Sequence, residues 1–216
     1  MSGIYVHIPF CRSRCIYCGF YSTTRLGLRA RYIDALRREM ELRKDYLHGT
    51  FATVYIGGGT PSQLGAPLLR RLLDHIYKVY TVESDAEVTV ECNPDDVTPA
   101  LASELASMPV NRVSMGVQTF SDERLHFLHR RHTAAQAAAA VENLRHAGIT
   151  NISIDLMFGF PGQTMTQWQV FGLITQMPFA DKGGGVIVLL QVFRKGNFIA
   201  FDAVLRCVVH NTRHSY

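Results

Sequence analysis

Short apolar runs rich in β-branched residues alternate with stretches of helical periodicity, and this alternation constrains the fold more than any other feature of the sequence. Five such runs lie at residues 4–8, 53–56, 87–91, 112–117 and 152–157, and each is predicted to form a strand. Strands that alternate with helices pair in parallel through helical crossovers. The sequence therefore predicts an α/β fold, and a sixth run at residues 186–192 extends the sheet toward an open or partial barrel.

The helices between these strands are predicted from their apolar faces and from their ends. Apolar side chains recur at helical spacing at Tyr32, Ile33, Leu36 and Met40 and again at Leu69, Leu72, Leu73 and Ile76. Thr98 before Pro99 is typical of an N-cap followed by a first turn. Thr133 and Gln136 form the sequence pattern of a capping box, and we expect that helix to stop at Gly148.

The end of the chain has a different character. We expect residues 1–180 to form one core domain and residues 181–216 a divergent tail, with the sixth strand followed by a disordered or aberrant end. Cys207 is interpreted as an incidental thiol. His210 and His214 are interpreted as solvated side chains, because histidines in a polar tail are usually solvated.

Composition narrows the class of protein. The net charge of +4 over 216 residues is spread along the chain, so nucleic-acid binding is not demanded. No stretch reaches the roughly 20 apolar residues that span a bilayer, and the N-terminus lacks the order of a signal peptide. We therefore expect no membrane span and a cytoplasmic protein. Five cysteines, an odd number, fit metal ligation in a reducing compartment better than a disulfide framework.

Three of these cysteines lie in one loop after the first predicted strand. Cys11, Cys15 and Cys18 have C-x3-C-x2-C spacing. A structural zinc ion normally takes four protein ligands, whereas three thiolates on a four-iron cube leave one iron open to an exogenous ligand. The zinc alternative needs a fourth ligand, for which His7, Cys92 or a later histidine is a candidate. We expect Cys92 instead to be a small buried residue and His7 to be a satisfied core histidine.

Polar residues also follow or end the other predicted strands. Gly57-Gly58-Gly59-Thr60 follows the second strand and offers main-chain groups without side-chain obstruction. Glu91 ends the third strand, Gln118 ends the fourth, Asp155 lies within the fifth, and Arg130 is placed on the helix that follows the fourth. Taken singly, these residues are equally consistent with strand-end caps or a solvated helix face. Together they predict a ligand pocket, in which carboxylates can hold ribose hydroxyls and Arg130 a ligand carboxylate.

Five longer motifs carry a resemblance to a known family. Tyr-Val-His-Ile-Pro-Phe-Cys stands at 5–11, Gly-Gly-Gly-Thr-Pro-Ser at 57–62 and Glu-Cys-Asn-Pro at 91–94. Arg-Val-Ser-Met-Gly-Val-Gln-Thr-Phe follows at 112–120 and Asp-Leu-Met-Phe-Gly-Phe-Pro-Gly-Gln-Thr at 155–164. In these motifs residues 3–177 resemble the radical S-adenosylmethionine (SAM) superfamily. Within it, they are most similar to the group that contains the oxygen-independent coproporphyrinogen III oxidase HemN and the heme chaperone HemW.

This resemblance implies a partial (β/α)6-type radical SAM barrel with parallel strands, incomplete at the C-terminus. It also implies a [4Fe-4S] cluster on the three loop cysteines and reductive cleavage of bound SAM. Gly58, Gly59 and Thr60 would meet the amino group and methionine part of SAM. The remaining implied SAM-site residues are Glu91, Gln118, Arg130, Asp155, Tyr17 beside the adenine and Tyr5 near the cluster. No catalytic residue is assigned beyond the cluster and SAM site.

The resemblance also bears on the kind of family member. HemN-type oxidases carry a fourth cysteine where this chain has Phe20, which favours a HemW-like heme chaperone. The alternatives are an oxygen-independent coproporphyrinogen III oxidase and a cluster-binding protein that does not cleave SAM. The expected partners are SAM, heme or a porphyrinogen, and an electron donor protein. Both family types continue well beyond residue 177, so we expect a C-terminally truncated chain, and whether it is an enzyme stays open.

Overall fold

A computed structural model describes residues 2–46, 48–160, 162–164, 186–194 and 197–205, with side chains described as far as residue 164. The strands are β1 (Gly3–Ile8), β2 (Phe51–Gly58), β3 (Val82–Cys92), β4 (Arg112–Gln118), β5 (Asn151–Phe158), β6 (Val186–Arg194) and β7 (Asn197–Leu205). The helices are α1 (Arg29–Arg43), α2 (Ala66–Val79), α3 (Pro99–Ala106), α4 (Asp122–Phe127) and α5 (Ala134–His146). Short 3-10 helices span Leu26–Leu28, Pro61–Leu64 and Pro94–Asp96.

The described strands form one sheet in sequential order from β1 to β7. The first six pair in parallel, and β7 pairs antiparallel with β6. A sheet whose order follows the chain through right-handed crossovers places its connecting helices on one face. The expected α/β fold with a parallel sheet is confirmed, and the sixth strand forms where the sequence predicts it.

The two faces of the sheet differ in chemistry. Residues such as Val54, Val90 and Ile154 are buried in the apolar core with the helices. Alternate residues point to the other face, because successive strand side chains project in opposite directions. That face carries polar groups, including Glu91, whose register partner on β4 is Ser114. The polar face therefore leaves room for a ligand on the side of the sheet away from the helices.

Two helix starts match the expectations from the sequence. The Thr98 side chain caps α3 by accepting a hydrogen bond from the Leu101 backbone N–H. Thr133 and Gln136 make both bonds of the capping box at the start of α5. The chain leaves α5 through Gly148, whose φ of 95° is a left-handed conformation that glycine adopts without strain.

The tail contains one element that the sequence analysis does not predict. β7 pairs with β6 through a register that brings Asn197 opposite Arg194, with only Lys195 and Gly196 between them in sequence. A two-residue connection ending in glycine between apolar runs is a hairpin signal, and it could have been used to find this strand. Cys207, His210 and His214 lie outside the described residues. Among the helices that the structure describes, none has the length and apolar character to cross a membrane.

Candidate functional site

The carboxyl ends of β2 to β4, a residue of β5 and the cysteine loop enclose a cavity of about 270 Å³. Parallel strands gather ligand sites at this edge of a sheet, because loops of several strands meet there. The cavity is lined by Cys11, Arg12, Ser13, Arg14, Cys15, Tyr17, Cys18, Phe20, Ser22, Tyr55, Gly58, Gly59, Thr60, Glu91, Cys92, Asn93, Ser114, Gly116, Gln118, His129, Arg130, Arg131 and Asp155. The structure therefore brings together every site residue named from the sequence except Tyr5.

Backbone hydrogen bonds join the two ends of the cysteine loop. The Cys11 N–H donates to the Thr23 carbonyl at 2.9 Å, and the Thr23 N–H donates to the Pro9 carbonyl at 2.6 Å. Phe10 is buried beneath the loop and packs edge-on against the Tyr32 ring of α1. Because the two ends of the loop are hydrogen-bonded together directly after β1, and Phe10 packs on α1, residues 11–22 are held over the edge of the sheet.

Two of the loop sulfurs have polar neighbours from other parts of the chain. The Thr60 hydroxyl lies 3.5 Å from the Cys11 Sγ, within hydrogen-bond range for sulfur. Burial raises the pKa of the Cys11 thiol, and the bond from Thr60 acts in the opposite direction. Arg130 Nη1 lies 3.4 Å from the Cys15 Sγ. The hydroxyl of Thr60 and the guanidinium of Arg130 are thus the polar groups that face these two sulfurs.

The glycine turn after β2 approaches the cysteine loop too closely for a side chain. A Cβ on Gly59 would lie 2.8 Å from the Cys11 Sγ and 3.0 Å from the Phe10 carbonyl oxygen. Gly58 adopts a φ of 119°, and its N–H donates to Glu91 Oε2 at 2.9 Å. Gly59 therefore has no room for a side chain, and Gly58 adopts a backbone conformation that only glycine takes without strain.

Glu91 is held from two sides. Its Oε1 accepts a 2.7 Å bond from the Tyr55 hydroxyl, and its Oε2 accepts the bond from Gly58. Burial raises the pKa of Glu91, and the two hydrogen bonds act in the opposite direction. A carboxylate has about four lone-pair sites, so Glu91 retains acceptor capacity toward the cavity.

Asp155 and Gln118 present polar atoms that lack a partner among the described residues, namely Asp155 Oδ1 and Gln118 Oε1. Burial, and then the charge of Glu91, raise the pKa of Asp155 from 3.8 to about 7. Gln118 has a φ of 67°, which is uncommon for a residue other than glycine. Buried atoms without partners and backbone strain are typical of ligand sites.

Arg130 occupies a different element from the one that the sequence analysis assigns to it. It does not lie on a helix, because α4 ends at Phe127 and His129 then turns the chain with a φ of 58°. The Arg130 guanidinium donates to Asn93 Oδ1 at 2.6 Å and to the Gly116 carbonyl, and its Nε has no partner among the described residues. These contacts, rather than a helix, aim the guanidinium into the cavity.

The two tyrosines named from the sequence lie in different surroundings. Tyr17 lines the cavity and packs beside the buried Leu128, Met157 and Phe160. Tyr5 is 60 % exposed and does not line the cavity, although its ring stacks on Tyr55, which does.

His7 and Cys92 were the named candidates for a fourth zinc ligand. His7 is only half-buried, so its expected place in the core is wrong, but both ring nitrogens have partners, the Tyr5 hydroxyl at 3.2 Å and the Tyr21 carbonyl at 3.0 Å. The histidine lies on β1 at the edge of the sheet, beside the rings of Tyr5 and Tyr21 and the backbone of Gly58. Cys92 is 4 % exposed, as expected for a small buried residue, and burial raises the pKa of its thiol.

Comparison with known proteins agrees with this geometry. The family profile described as "Radical SAM superfamily" matches residues 5–174. This chain belongs to the radical SAM superfamily. The heme chaperone HemW of Lactococcus lactis subsp. lactis (strain IL1403) is 43 % identical over 165 residues, which cover 76 % of this chain and 43 % of that protein.

Two further proteins are similar to this chain, one in sequence and one in structure. The oxygen-independent coproporphyrinogen III oxidase of Bradyrhizobium diazoefficiens is 34 % identical over 168 residues, covering 76 % of this chain and 37 % of that protein. The structure of coproporphyrinogen III oxidase (HemN) from Escherichia coli, a radical SAM enzyme, matches with a TM-score of 0.77 and 28 % identity over 88 % of this chain and 44 % of that one. The chain spans less than half the length of these proteins.

Radical SAM membership implies a [4Fe-4S] cluster and SAM, and the donors in the cavity fit both groups. Within the described residues no three Cys, His, Asp or Glu side chains converge as they would around a single metal ion. In a four-iron cube each thiolate binds a different iron, so convergence on one point is not required. The three thiols are free cysteines on one loop, and Asp155, Gln118 and Arg130 offer the unpartnered polar atoms that a bound SAM needs.

Several residues that line the cavity were not predicted from the sequence. Tyr55, Asn93, Ser114, Gly116 and Arg131 all line the cavity. Strand alternation could have found two of them, because positions 114 and 116 share a strand face with 118. For Arg131, no local sequence signal distinguishes a buried ion pair from a solvated one.

Proposed function

We propose that this chain holds a [4Fe-4S] cluster on Cys11, Cys15 and Cys18, binds SAM beside it, and acts as a HemW-like heme chaperone. One observation carries the proposal. The cysteine loop lines the same cavity as Gln118, Arg130 and Asp155, and each of these three side chains has a buried polar atom without a partner among the described residues. When bound, the cluster and SAM supply one-electron reductive cleavage of a carbon–sulfur bond. Radical chemistry of this kind belongs to the cofactors, while the protein aligns and shields them.

The residues around the cavity divide the recognition of SAM among them. The turn at Gly58, Gly59 and Thr60 offers main-chain groups next to the Cys11 sulfur, where the amino group and methionine part would lie. Arg130 offers a buried cation for the SAM carboxylate, a charge-assisted bond that is stronger than a neutral one. Asp155 and Gln118 offer acceptors for the ribose hydroxyls. Glu91 fixes the glycine turn through its bond from Gly58 and faces the same ligand.

Two aromatic residues complete the proposed site. Tyr17 gives the adenine a ring beside the apolar side chains of Leu128 and Phe160. Tyr5 lies outside the cavity and would act only through the ring of Tyr55 on which it stacks. Its proposed role is therefore to support the wall of the site rather than to contact SAM.

Heme as the further ligand is supported by the HemW relative and by Phe20. The L. lactis heme chaperone is more similar to this chain than the B. diazoefficiens oxidase is, at 43 % against 34 % identity. Phe20 stands where HemN-type oxidases carry a fourth cysteine, and it is 71 % exposed at the cavity wall. An electron donor protein is the remaining proposed partner.

The coproporphyrinogen III oxidase is the second candidate, favoured by the structural match to HemN from E. coli. It shares the cluster and SAM site with the first candidate. The two therefore differ in what the protein does with a porphyrin, and Phe20 at the cavity wall favours the chaperone.

The test begins with anaerobic reconstitution with iron and sulfide, followed by low-temperature electron paramagnetic resonance of the reduced protein. We expect a [4Fe-4S]⁺ signal that changes when SAM is added. A signal that ignores SAM would contradict the SAM site and favour a cluster-binding protein that does not cleave SAM.

The same preparation separates the chaperone from the oxidase. Titration with hemin should give a saturable Soret band in wild type. Coproporphyrinogen III incubated with SAM and a reductant should be recovered unchanged. Oxidative decarboxylation of that substrate, without hemin binding, would replace the chaperone by the oxidase.

A further inference from the structure

A buried polar cluster lies behind the wall of the SAM cavity and centres on Asp96, whose side chain is 10 % exposed. Asp96 Oδ2 accepts hydrogen bonds from Ser62 Oγ at 2.6 Å and from Gln63 Nε2 at 2.5 Å. Asp96 Oδ1 accepts from Arg131 Nη2 at 3.2 Å. We call Ser62, Gln63, Asp96 and Arg131 the Asp96 clamp.

The clamp joins three segments that are distant in sequence. Ser62 and Gln63 belong to the 3-10 helix directly after the glycine turn of β2. Asp96 ends the 3-10 helix after β3. Arg131 follows α4. One carboxylate therefore ties together the loops that follow three neighbouring strands.

Two of these loops carry a proposed SAM-binding group. Thr60 is the N-cap of the 3-10 helix that contains Ser62, and Arg130 adjoins Arg131. A second connection runs inside the clamp, because Ser62 Oγ accepts from the Asn93 N–H at 3.2 Å. Asn93 Oδ1 in turn accepts from Arg130 Nη2 at 2.6 Å. A displacement of Asp96 would therefore reach both the glycine turn and the Arg130 guanidinium.

A buried carboxylate is an energetically costly way to make a purely structural contact between loops. Burying a carboxylate requires several donors to offset its lost hydration, and a well-packed apolar contact would hold the loops at no such cost. Directional bonds from a hydroxyl, an amide and a guanidinium instead hold the loops in one relative position. Asp95 shares the charge of Arg131, with its Oδ2 2.7 Å from Nη2, so the arginine is held by two carboxylates.

We propose that Asp96 is a positioning residue for the SAM site, which holds the glycine turn through Ser62 and Gln63 and the Arg130 segment through Arg131. This inference rests on the proposed function, since it concerns how the same site recognises SAM. At metal sites, replacing a residue that orients a ligand through hydrogen bonds changes affinity by about 10- to 100-fold, and we expect the lower end of that range for Asp96.

The test uses Asp96→Asn, which keeps the size of the side chain but removes its charge. The amide NH₂ group that replaces one carboxylate oxygen can only donate, so it cannot accept the hydrogen bonds that this oxygen receives in the clamp. Asp34→Asn is the matched control, because Asp34 pairs with Arg71 between α1 and α2, away from the cavity. Each reconstituted protein is compared for iron content, for its SAM-free resonance signal, for urea unfolding, and for the SAM concentration that half-completes the spectral change. We expect Asp96→Asn to raise that concentration about 10-fold with unchanged iron content, and Asp34→Asn to match wild type.

Ser62→Ala is the second variant, for use if Asp96→Asn folds poorly. It removes the hydrogen bond that Ser62 Oγ donates to Asp96 and the one it accepts from the Asn93 N–H, and it leaves the Asp96 carboxylate in place. We expect it to weaken SAM binding by a smaller factor. Full cluster content with wild-type SAM affinity in Asp96→Asn, or in Ser62→Ala when Asp96→Asn does not fold, would overturn the inference alone. A wild-type cluster that ignores SAM would overturn the proposed function, and the inference with it.

Discussion

Asp155 should make the ligand-free protein less stable as pH rises. Its carboxyl group is buried, one of its oxygens has no partner among the described residues, and its pKa is raised from 3.8 to about 7. Between these two values the folded protein keeps a proton that the unfolded chain releases. The resulting stability is fully present below the unfolded pKa and is lost as pH rises through the folded pKa. Asp155→Asn, which stays neutral, should remove this dependence.

The magnitude follows from the shift in the pKa of Asp155. One pKa unit corresponds to about 1.4 kcal/mol, so a shift of about three units costs the folded state roughly 4 kcal/mol once the carboxyl group is fully ionised. About 2 to 3 kcal/mol of this loss falls between pH 5 and pH 8. Salt and relaxation of the cavity reduce these values, so they mark the upper end of the expected range.

The assay is urea unfolding of the cluster-free protein at several values between pH 5 and pH 8, followed by circular dichroism. Other groups titrate in wild type and variant alike, so the difference between their free energies of unfolding isolates Asp155. We expect the wild type to lose more stability than Asp155→Asn as pH rises, and Asp34→Asn to run parallel to wild type. Parallel curves for wild type and Asp155→Asn would refute the reasoning that burial and Glu91 hold this carboxyl protonated.

Three further predictions concern the loop, the glycine turn and a helix cap. Cys15→Ala should abolish the reconstituted cluster, whereas Cys92→Ala should keep it, as measured by iron and sulfide per chain. Gly59→Ala should lower the free energy of unfolding in urea by about 1 to 3 kcal/mol, because the new Cβ would lie 2.8 Å from the Cys11 sulfur. Gly19→Ala is the control and should match wild type, because the space around Gly19 is open. Thr133→Ala should lower the free energy of unfolding by about 1 kcal/mol through loss of the capping box; an unchanged urea midpoint would contradict this.

The order and type of the elements could be predicted from the sequence, because they depend on local patterns. Five strands lie where apolar β-rich runs occur, and the ends of α3 and α5 follow from capping residues next to them in the chain. The sixth strand was also predicted, whereas β7 was missed although its hairpin signal is local. The cysteine spacing and the longer motifs were enough to indicate the family, which the profile match confirms.

What the sequence by itself determined was therefore the alternation of strands and helices, the starts of α3 and α5 and the residue types available at the strand ends. The tertiary structure alone decided which of those residues share a cavity. In the structure Tyr5 lies outside the cavity lining, and Arg130 lies beyond the end of α4 and not on a helix. Asp96 forms hydrogen bonds with Ser62 and Arg131 from two other loops. The physical reason is that hydrogen bonding and burial at these positions depend on contacts between residues more than thirty apart in the chain, for which local periodicity and capping carry no signal.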